Sequence, residues 1–517
     1  MPVTLLWLKR DLRVEDHAAL AAAARAADEA APVLPLYVIE PELWAEPDRS
    51  GRHWDFLRES LQEARVAFAA LGVPLVVRIG SVLEIFQALA DTIGVAAIHA
   101  HEETGSGWTF ARDDQVRAWA RDRGIPLREH RQFGVLRGLK DRDGWAAHWE
   151  RMMGAPKAEA PAVLPPLPGE IDPGTIPDRP PGLSADAPCP GRQPGGRAAG
   201  LDLLGSFLSR RGARYHQEMS SPLTAQQACS RLSAHLAYGT LSMREIVQAV
   251  RVERRRLADA PPAARGLWPA ALNALDGRLH WHCHFIQKLE SAPEIEWRNM
   301  HPGFDGMRED AFDAERFKAW TEGRTGFPMV DACMRMLVET GWINFRMRAM
   351  LTSFAAYHLW LHWREPALHL ARLFTDYEPG IHYSQMQMQS GTTGVNTPRI
   401  YNPVKQGWDH DPDARFIRRW VPELARLEDP KLAHEPWRAP NAAPDYPAPI
   451  VDLTEAARFA RSEIARVRRS DGYREAAGAI QRRLGSRRSG LKQTGGAKER
   501  AAAARRAATR DQMSFDL

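Results

Sequence analysis

Two arginines, Arg346 and Arg348, stand in the stretch Trp342–Trp363 (WINFRMRAMLTSFAAYHLWLHW), which is otherwise apolar on nearly every side of a helical projection. A guanidinium keeps its proton at ordinary pH, so a helix that carries two of them into a core needs a carboxylate or an anionic ligand beside them. A membrane span is a poor reading. The uncharged part, Ala349–Trp363, falls short of the roughly 20 apolar residues a bilayer needs and is interrupted by Thr352, Ser353 and two histidines. The stretch therefore predicts a helix inside a large soluble protein. Carboxylates to match lie downstream, in the turn Asp376-Tyr377-Glu378-Pro379-Gly380. A buried structural salt bridge and an ion pair beside a bound ligand both fit that pattern.

The neighbouring sequence adds to this centre. Phe327–Thr340 places Val330, Cys333, Met334 and Leu337 on one helical face and ends at Gly341. After the acidic turn, the run from His382 to Gly394 is polar without being charged. Such residues suit the edges of a neutral heterocycle if they sit in a core element, and a solvated loop if they do not.

The first third of the chain alternates short apolar runs with helical patterns. Val3–Leu8, Val33–Val38, Pro74–Ile79 and Val95–Ala100 predict strands, and Ala18–Ala27, Trp54–Ala70, Leu83–Ile93 and Asp113–Arg123 predict helices. That is the signature of a parallel sheet with crossover helices, a Rossmann-like α/β domain. No GxGxxG or P-loop opens any of these helices. From Pro156 to Gly200 the sequence turns Pro- and Gly-rich, and helical patterns then dominate to about Arg483. The expected division is an α/β domain over 1–135, a connector over 136–200, an all-α domain over 201–483 and a basic tail over 484–517.

In Cys229-Ser230-Arg231-Leu232-Ser233, two hydroxyls and an arginine open a helical pattern, an arrangement that suits either phosphate or simple N-capping. Leu279–Phe285 (LHWHCHF) has a metal-like look. On a helix, however, His280 and His284 share a face while His282 and Cys283 point elsewhere, so no metal is expected. The four cysteines are widely spaced without a CxxC pair, which argues against disulfides and iron–sulfur ligation. The tail from Ser486 carries eight Lys/Arg and three Asp/Glu, a net +5 equal to that of the whole chain, 69 − 64 = +5. Any nucleic-acid face on the first 485 residues must therefore be a local patch. With no leader or membrane span in view, the expected compartment is the cytosol.

With these residues collected, the chain resembles the photolyase/cryptochrome flavoproteins. Leu5–Leu20 (LLWLKRDLRVEDHAAL), Ser230–Ser233 with Ala237-Tyr238-Gly239, Glu322–Ala332, Trp363-Arg364-Glu365 and Arg399–Pro403 (RIYNP) are similar to the family's motifs and follow in its order. The resemblance implies an FAD-binding all-α domain after the α/β domain. It leaves room for a second, antenna chromophore of folate or deazaflavin type. By position, Tyr215, Ser230, Leu232 and Ser233 would contact the pyrophosphate; Arg348 and Asp376 would pair beside the flavin, Glu378 would lie near its ring, and His382 would face N5.

The resemblance also implies that damaged DNA is the partner of a monomeric protein, met by Trp281, Phe345, Met388, Arg399 and Asn402. Trp363, His382 and Met386 are assigned to the chemistry itself. Trp363 keeps the middle place of the family's tryptophan chain, whereas Met386 takes the flavin-proximal place and Asp310 lies near the outer one. A thioether is a poor relay, so the usual route is expected to be cut, with Tyr357, Trp360 and Tyr383 as the alternative. The expected activity is light-driven repair of cyclobutane pyrimidine dimers by electron transfer from reduced FAD; the competing reading is a blue-light photoreceptor without repair activity.

Overall fold

A computed structural model describes residues 2–27 and 31–486. Five parallel strands, β1 (Val3–Leu8), β2 (Val33–Ile39), β3 (Val76–Ile79), β4 (Val95–His101) and β5 (Leu127–His130), form one sheet in the order β3-β2-β1-β4-β5. Central β1 (VTLLWL) is buried along its whole length, as a strand covered on both faces must be. Its alternation divides two cores. Leu6 and Leu8 pack with α1 (Ala18–Ala26) and α2 (Gly51–Ala70), while Val3, Leu5 and Trp7 pack with α3 (Val82–Thr92) and α4 (Gly107–Asp122). The strand β5 is LREH, with no apolar run to announce it.

Within 136–200 lies a ten-residue helix, α5 (Trp145–Gly154), and 156–196 holds no regular element. That extended segment is fixed by hydrogen bonds, Trp54 Nε1 to the Asp178 carbonyl at 2.9 Å and Gly51 N to the Asp186 carboxylate at 2.6 Å.

The helical region begins with α6 (Arg197–Ser209), α7 (Ser233–Ala237) and α8 (Met243–Ala258), the last closed at its start by a Ser242/Glu245 capping box. Its centre is built from α9 (Trp268–Ser291), α10 (Pro328–Thr340), α11 (Phe345–Ser353), α12 (Arg364–Leu373) and α13 (Pro379–Ser390), followed by α14 (Pro403–His410), α15 (Leu453–Arg468) and α16 (Tyr473–Leu484).

Trp342–Trp363 is not one helix. It starts at Phe345, widens into a π turn over Phe354–His358 and is stopped by Trp360, whose φ of +57° is outside helical space. In the His382–Gly394 run, His382–Ser390 belong to α13 and Gly391 caps it, while the last three residues are non-helical but buried, which removes the solvated-loop reading.

The two parts of the chain interlock. Arg10 and Arg13, just beyond β1, donate to the carbonyls of Ala237 at 2.6 Å and Gly239 at 2.7 Å. Gly239 has φ +64° and lies so close that a Cβ there would stand 2.1 Å from the Arg10 carbonyl oxygen, so only glycine fits. On the other side Arg52 of α2 donates to the carbonyls of Leu337 and Leu373.

Candidate functional site

Where α9, α11 and α13 converge, the helical region encloses a cavity of about 310 Å³. From α9 it takes Arg278, Trp281, His282 and Phe285, a stripe at i, i+3, i+4 and i+7; from α13 it takes Ile381, His382, Gln385, Met386 and Gln389. Tyr215, Ser230, Arg231 and Ser233 also line it, as do Phe345, Arg346, Arg399 and Tyr401.

The paired charges at its centre are Arg348 and Asp376. Arg348 Nη2 lies 2.9 Å from Asp376 Oδ2, its Nε donates to the Ile343 carbonyl at 2.8 Å, and its guanidinium covers the Phe374 ring at 4.0 Å. Burial alone would raise the Asp376 pKa, but the charge and hydrogen bond of Arg348 outweigh it and hold the carboxyl below its usual range. Glu378 does not return to either arginine of α11. It pairs at 2.7 Å with Arg10 of the α/β domain, and burial raises its pKa despite that partner.

His382 is buried, with Nε2 2.9 Å from the Ala367 carbonyl, so Nε2 carries the proton and donates. Burial pushes its pKa down to about 4, with Arg348 acting in the same direction and the Ala367 bond opposing. The imidazole is therefore neutral at physiological pH.

Most of the residues expected at the site meet in this cavity: Tyr215, Ser230, Ser233, Arg348, Asp376, Glu378, His382, Met386, Trp281, Phe345 and Arg399 all form its walls. Four stand apart. The Leu232 side chain is buried in the core beside α8 and α9, where a leucine gains more than it would against phosphate. Met388, two residues from Met386, falls on another face of α13 and is half-buried outside the walls. Asn402 spends its side-chain oxygen on the N–H groups of Val404 and Lys405, capping α14. Trp363 is 1% exposed behind the cavity, its indole N–H bonded to Asn299 Oδ1 at 2.8 Å.

The alternative aromatic route is not continuous. Tyr357 and Trp360 pack with Phe304, Ile464 and Tyr473 in one cluster, and Tyr383 with Trp363 in another. Met386 receives the Thr352 hydroxyl on its sulfur at 3.3 Å.

The walls suit a polar, aromatic-edged ligand such as FAD. Among the described residues, buried Asp376 Oδ1, Glu378 Oε1, Asn344 Oδ1 and His282 Nδ1 find no protein partner, nor does Arg231 Nε. Buried polar atoms are costly unless something bonds them. Arg231, the residue the sequence places between the two serines, stands at φ +63° with its guanidinium over Trp342 at 4.1 Å; burial lowers its pKa to about 10. A phosphate beside it would restore the missing counter-charge.

An antenna of folate or deazaflavin type is another matter. The cleft between β1, β2 and the helical region, lined by Trp7, Tyr37, Trp44 and Tyr238, encloses only about 50 Å³. Arg112 fills its floor, ion-paired to Glu40 at 2.6 Å, Glu103 at 2.5 Å and Asp113 at 2.9 Å. A chromophore of several rings does not fit there without displacing that network.

Among the described residues, Asp11, His17 and His101 bring carboxylate and imidazole atoms within metal-ligand spacing. Their protons contradict a metal. The N–H of Leu20 donates to His17 Nδ1 at 3.0 Å, so His17 Nε2 carries hydrogen and faces Asp11 Oδ2 at 3.2 Å, while His101 Nδ1 faces the same oxygen at 2.8 Å. In LHWHCHF, His280 and His284 both turn to Trp145, with ring centroids at 5.0 and 5.9 Å, whereas His282 faces the cavity.

Fold and site together define a class: a five-stranded α/β domain docked on a helical domain whose cavity combines an ion pair, aromatic walls and buried polar atoms that no described residue bonds. The chain belongs to the photolyase/cryptochrome family. Residues 4–136 match the family model described as DNA photolyase, and 275–466 that of the FAD binding domain of DNA photolyase. It is 31% identical over 482 residues to a deoxyribodipyrimidine photo-lyase of Streptomyces griseus, covering 89% of this chain and 99% of that one. It is 29% identical to a cryptochrome DASH of Gloeobacter violaceus, covering 88% and 94%. Its fold is similar to a bacterial class III photolyase from Agrobacterium tumefaciens, with a TM-score of 0.77, 26% identity and coverage of 91% and 98%.

Proposed function

We propose that this chain is a light-dependent DNA-repair flavoprotein that holds FAD in the helical cavity and acts on cyclobutane pyrimidine dimers. FAD, when bound and reduced, would supply the photoexcited electron. The observation that carries the reading is that two sets of residues line one cavity. Unpaired buried polar atoms and the Arg348–Asp376 pair suit the cofactor, and Trp281, Phe345, Arg399 and Tyr401 suit an extruded base and its backbone.

Each group has a role in this reading. Arg231, Ser230 and Ser233 neutralise and bond phosphate; Arg348 and Asp376 orient the ring; His382 presents an unprotonated Nδ1 because Ala367 fixes the proton on Nε2. Trp281 and Phe345 stack on the extruded bases, and Arg399 meets the phosphodiester. Met388 and Asn402 are left out of base contact by their positions. The chain would work as a monomer, with 1–135 as the α/β domain of photolyase antenna type and 201–483 as the FAD-binding catalytic one.

The test is to illuminate purified protein with a thiol reductant and an oligonucleotide bearing one thymine dimer, and to resolve substrate and product chromatographically. Restored thymines in blue light and none in the dark are expected. The likeness to a cryptochrome DASH supports a signalling alternative. Tight flavin binding and photoreduction without restored thymines would favour it.

A further inference from the structure

With Met386 at the cavity wall, the residues that could pass electrons inward must be sought elsewhere, and the wall contains one oxidisable ring of unusual setting. Tyr377 lies between Asp376 and Glu378, both beside the cavity, and is 4% exposed. Its hydroxyl donates to Asp48 Oδ2 at 2.6 Å, a buried carboxylate contributed by the α/β domain just before α2. The Tyr383 hydroxyl is 3.1 Å from the Tyr377 hydroxyl, with ring centroids 6.3 Å apart, and Tyr383 is in turn 6.4 Å from Trp363. Asp48 is held ionised by Arg49, whose Nε is 3.2 Å from Oδ1. The Tyr377 ring is flanked by the neutral imidazoles of His53 at 5.8 Å and His382 at 5.2 Å.

A phenol is hard to oxidise while it keeps its proton, and an oxidised phenol is a far stronger acid than a carboxylic acid. A carboxylate at hydrogen-bond distance therefore removes the main obstacle, provided it is ionised and within direct reach of the proton.

We infer that Tyr377 is the immediate electron donor to the photoexcited oxidised flavin, with Asp48 as its proton acceptor and Tyr383 and Trp363 behind it. One electron leaves the Tyr377 ring for the flavin. The phenolic O–H bond breaks, its proton passes to Asp48 Oδ2, and a neutral tyrosyl remains. Tyr383, whose hydroxyl faces that oxygen, returns a hydrogen atom to Tyr377. The oxidising equivalent then lies on Tyr383, beside Trp363, and an added thiol reduces it. The inference rests on the proposed flavin in the cavity. It gives the domain interface a redox role, because donor and proton acceptor come from different domains.

The test uses the full chain with bound flavin, whose visible absorption is read first. Protein that binds no flavin overturns the cofactor reading, a failure distinct from any below. With flavin bound and oxidised, a blue pulse without thiol is followed by electron paramagnetic resonance at low temperature. A tyrosyl signal is expected that narrows in protein grown on ring-deuterated tyrosine and forms more slowly in D₂O. Tyr377→Phe, which preserves the ring, should abolish that early signal and most of the photoreduction. Asp48→Asn should slow radical formation by about a hundredfold, the lower range for loss of a positioned general base. Should Tyr377→Phe fail to fold or to hold flavin, the isotope experiment on wild type and Asp48→Asn still decides. A tryptophanyl signal in wild type, photoreduction at the wild-type rate in Tyr377→Phe, or a rate in Asp48→Asn equal to wild type and insensitive to D₂O would each overturn the assignment.

Discussion

Arg348 keeps 24% of its side chain in contact with solvent, while Asp376 keeps 5%. The sequence predicts a dry pair, because it shows an apolar helix but not the cavity that opens beside it. A fully buried pair broken on one side costs about 3–5 kcal/mol. With one partner a quarter exposed, the expected loss in Asp376→Ala falls to about 2 kcal/mol, read by urea unfolding of flavin-free protein, together with loss of flavin on gel filtration. Unchanged stability and flavin content would show that the pair is incidental. His382 is a second case in which residue type was legible and environment was not. Histidine in sequence promises titration near neutrality, yet burial takes its folded pKa to about 4. Photoreduction and dark reoxidation from about pH 6 to pH 9 should therefore carry no His382 step, and His382→Asn should alter their rates without altering their pH profiles. A wild-type step near pH 7 that disappears in His382→Asn would mean the imidazole is charged in function.

At the scale of elements, the strands and crossover helices were readable because burial on both faces writes continuous apolar runs, as in β1. The short β5 and the break at Trp360 were not, since a four-residue charged strand and a π turn have no compositional mark. The site shows the same division. Met386 belongs to the wall and Met388 does not, because α13 turns them to different faces, whereas a motif comparison treats them alike. The stripe Arg278-Trp281-His282-Phe285 was present at helical spacing, but LHWHCHF draws the eye to metal ligands instead. That stripe supports an interface expectation. Trp281→Ala should weaken binding to a thymine-dimer oligonucleotide by about 1–3 kcal/mol, the usual loss of one stacking platform, with flavin content unchanged. Arg399→Ala should instead reduce the slope of log affinity against log salt by about 1, for lesion and undamaged DNA alike. Fluorescence anisotropy across a salt series distinguishes the two, and a Trp281→Ala protein that binds as wild type would remove α9 from the DNA face.

For the molecule as a whole, folding buries imidazoles that cannot become charged without opening the structure. His53 of α2 faces the Phe374 carbonyl at 3.0 Å across the interface. Burial, the largest cause in each case, lowers the pKa to about 4 for His53, His235 and His382 and to about 3 for His101, His282 and His369. Each is neutral in the fold and would take up a proton on unfolding below its ordinary value near 6.5. The unfolded chain then binds more protons, so stability rises with pH across that window and is lost as pH falls from about 6.5 toward 4. Buried acids with raised pKa oppose this. Glu296, pushed up by burial to about 6, gains a proton on folding and so adds stability as pH falls. Magnitudes decide between them: at pH 5 each histidine withdraws about 2 kcal/mol, and an acid such as Glu296 returns about 1 kcal/mol. The histidines prevail. Thermal unfolding should show a melting temperature that drops steadily between about pH 7 and pH 5, and His53→Gln, which removes one of these groups at the interface, should flatten that decline. A melting temperature that held level or rose on acidification would mean that these imidazoles titrate freely in the folded chain.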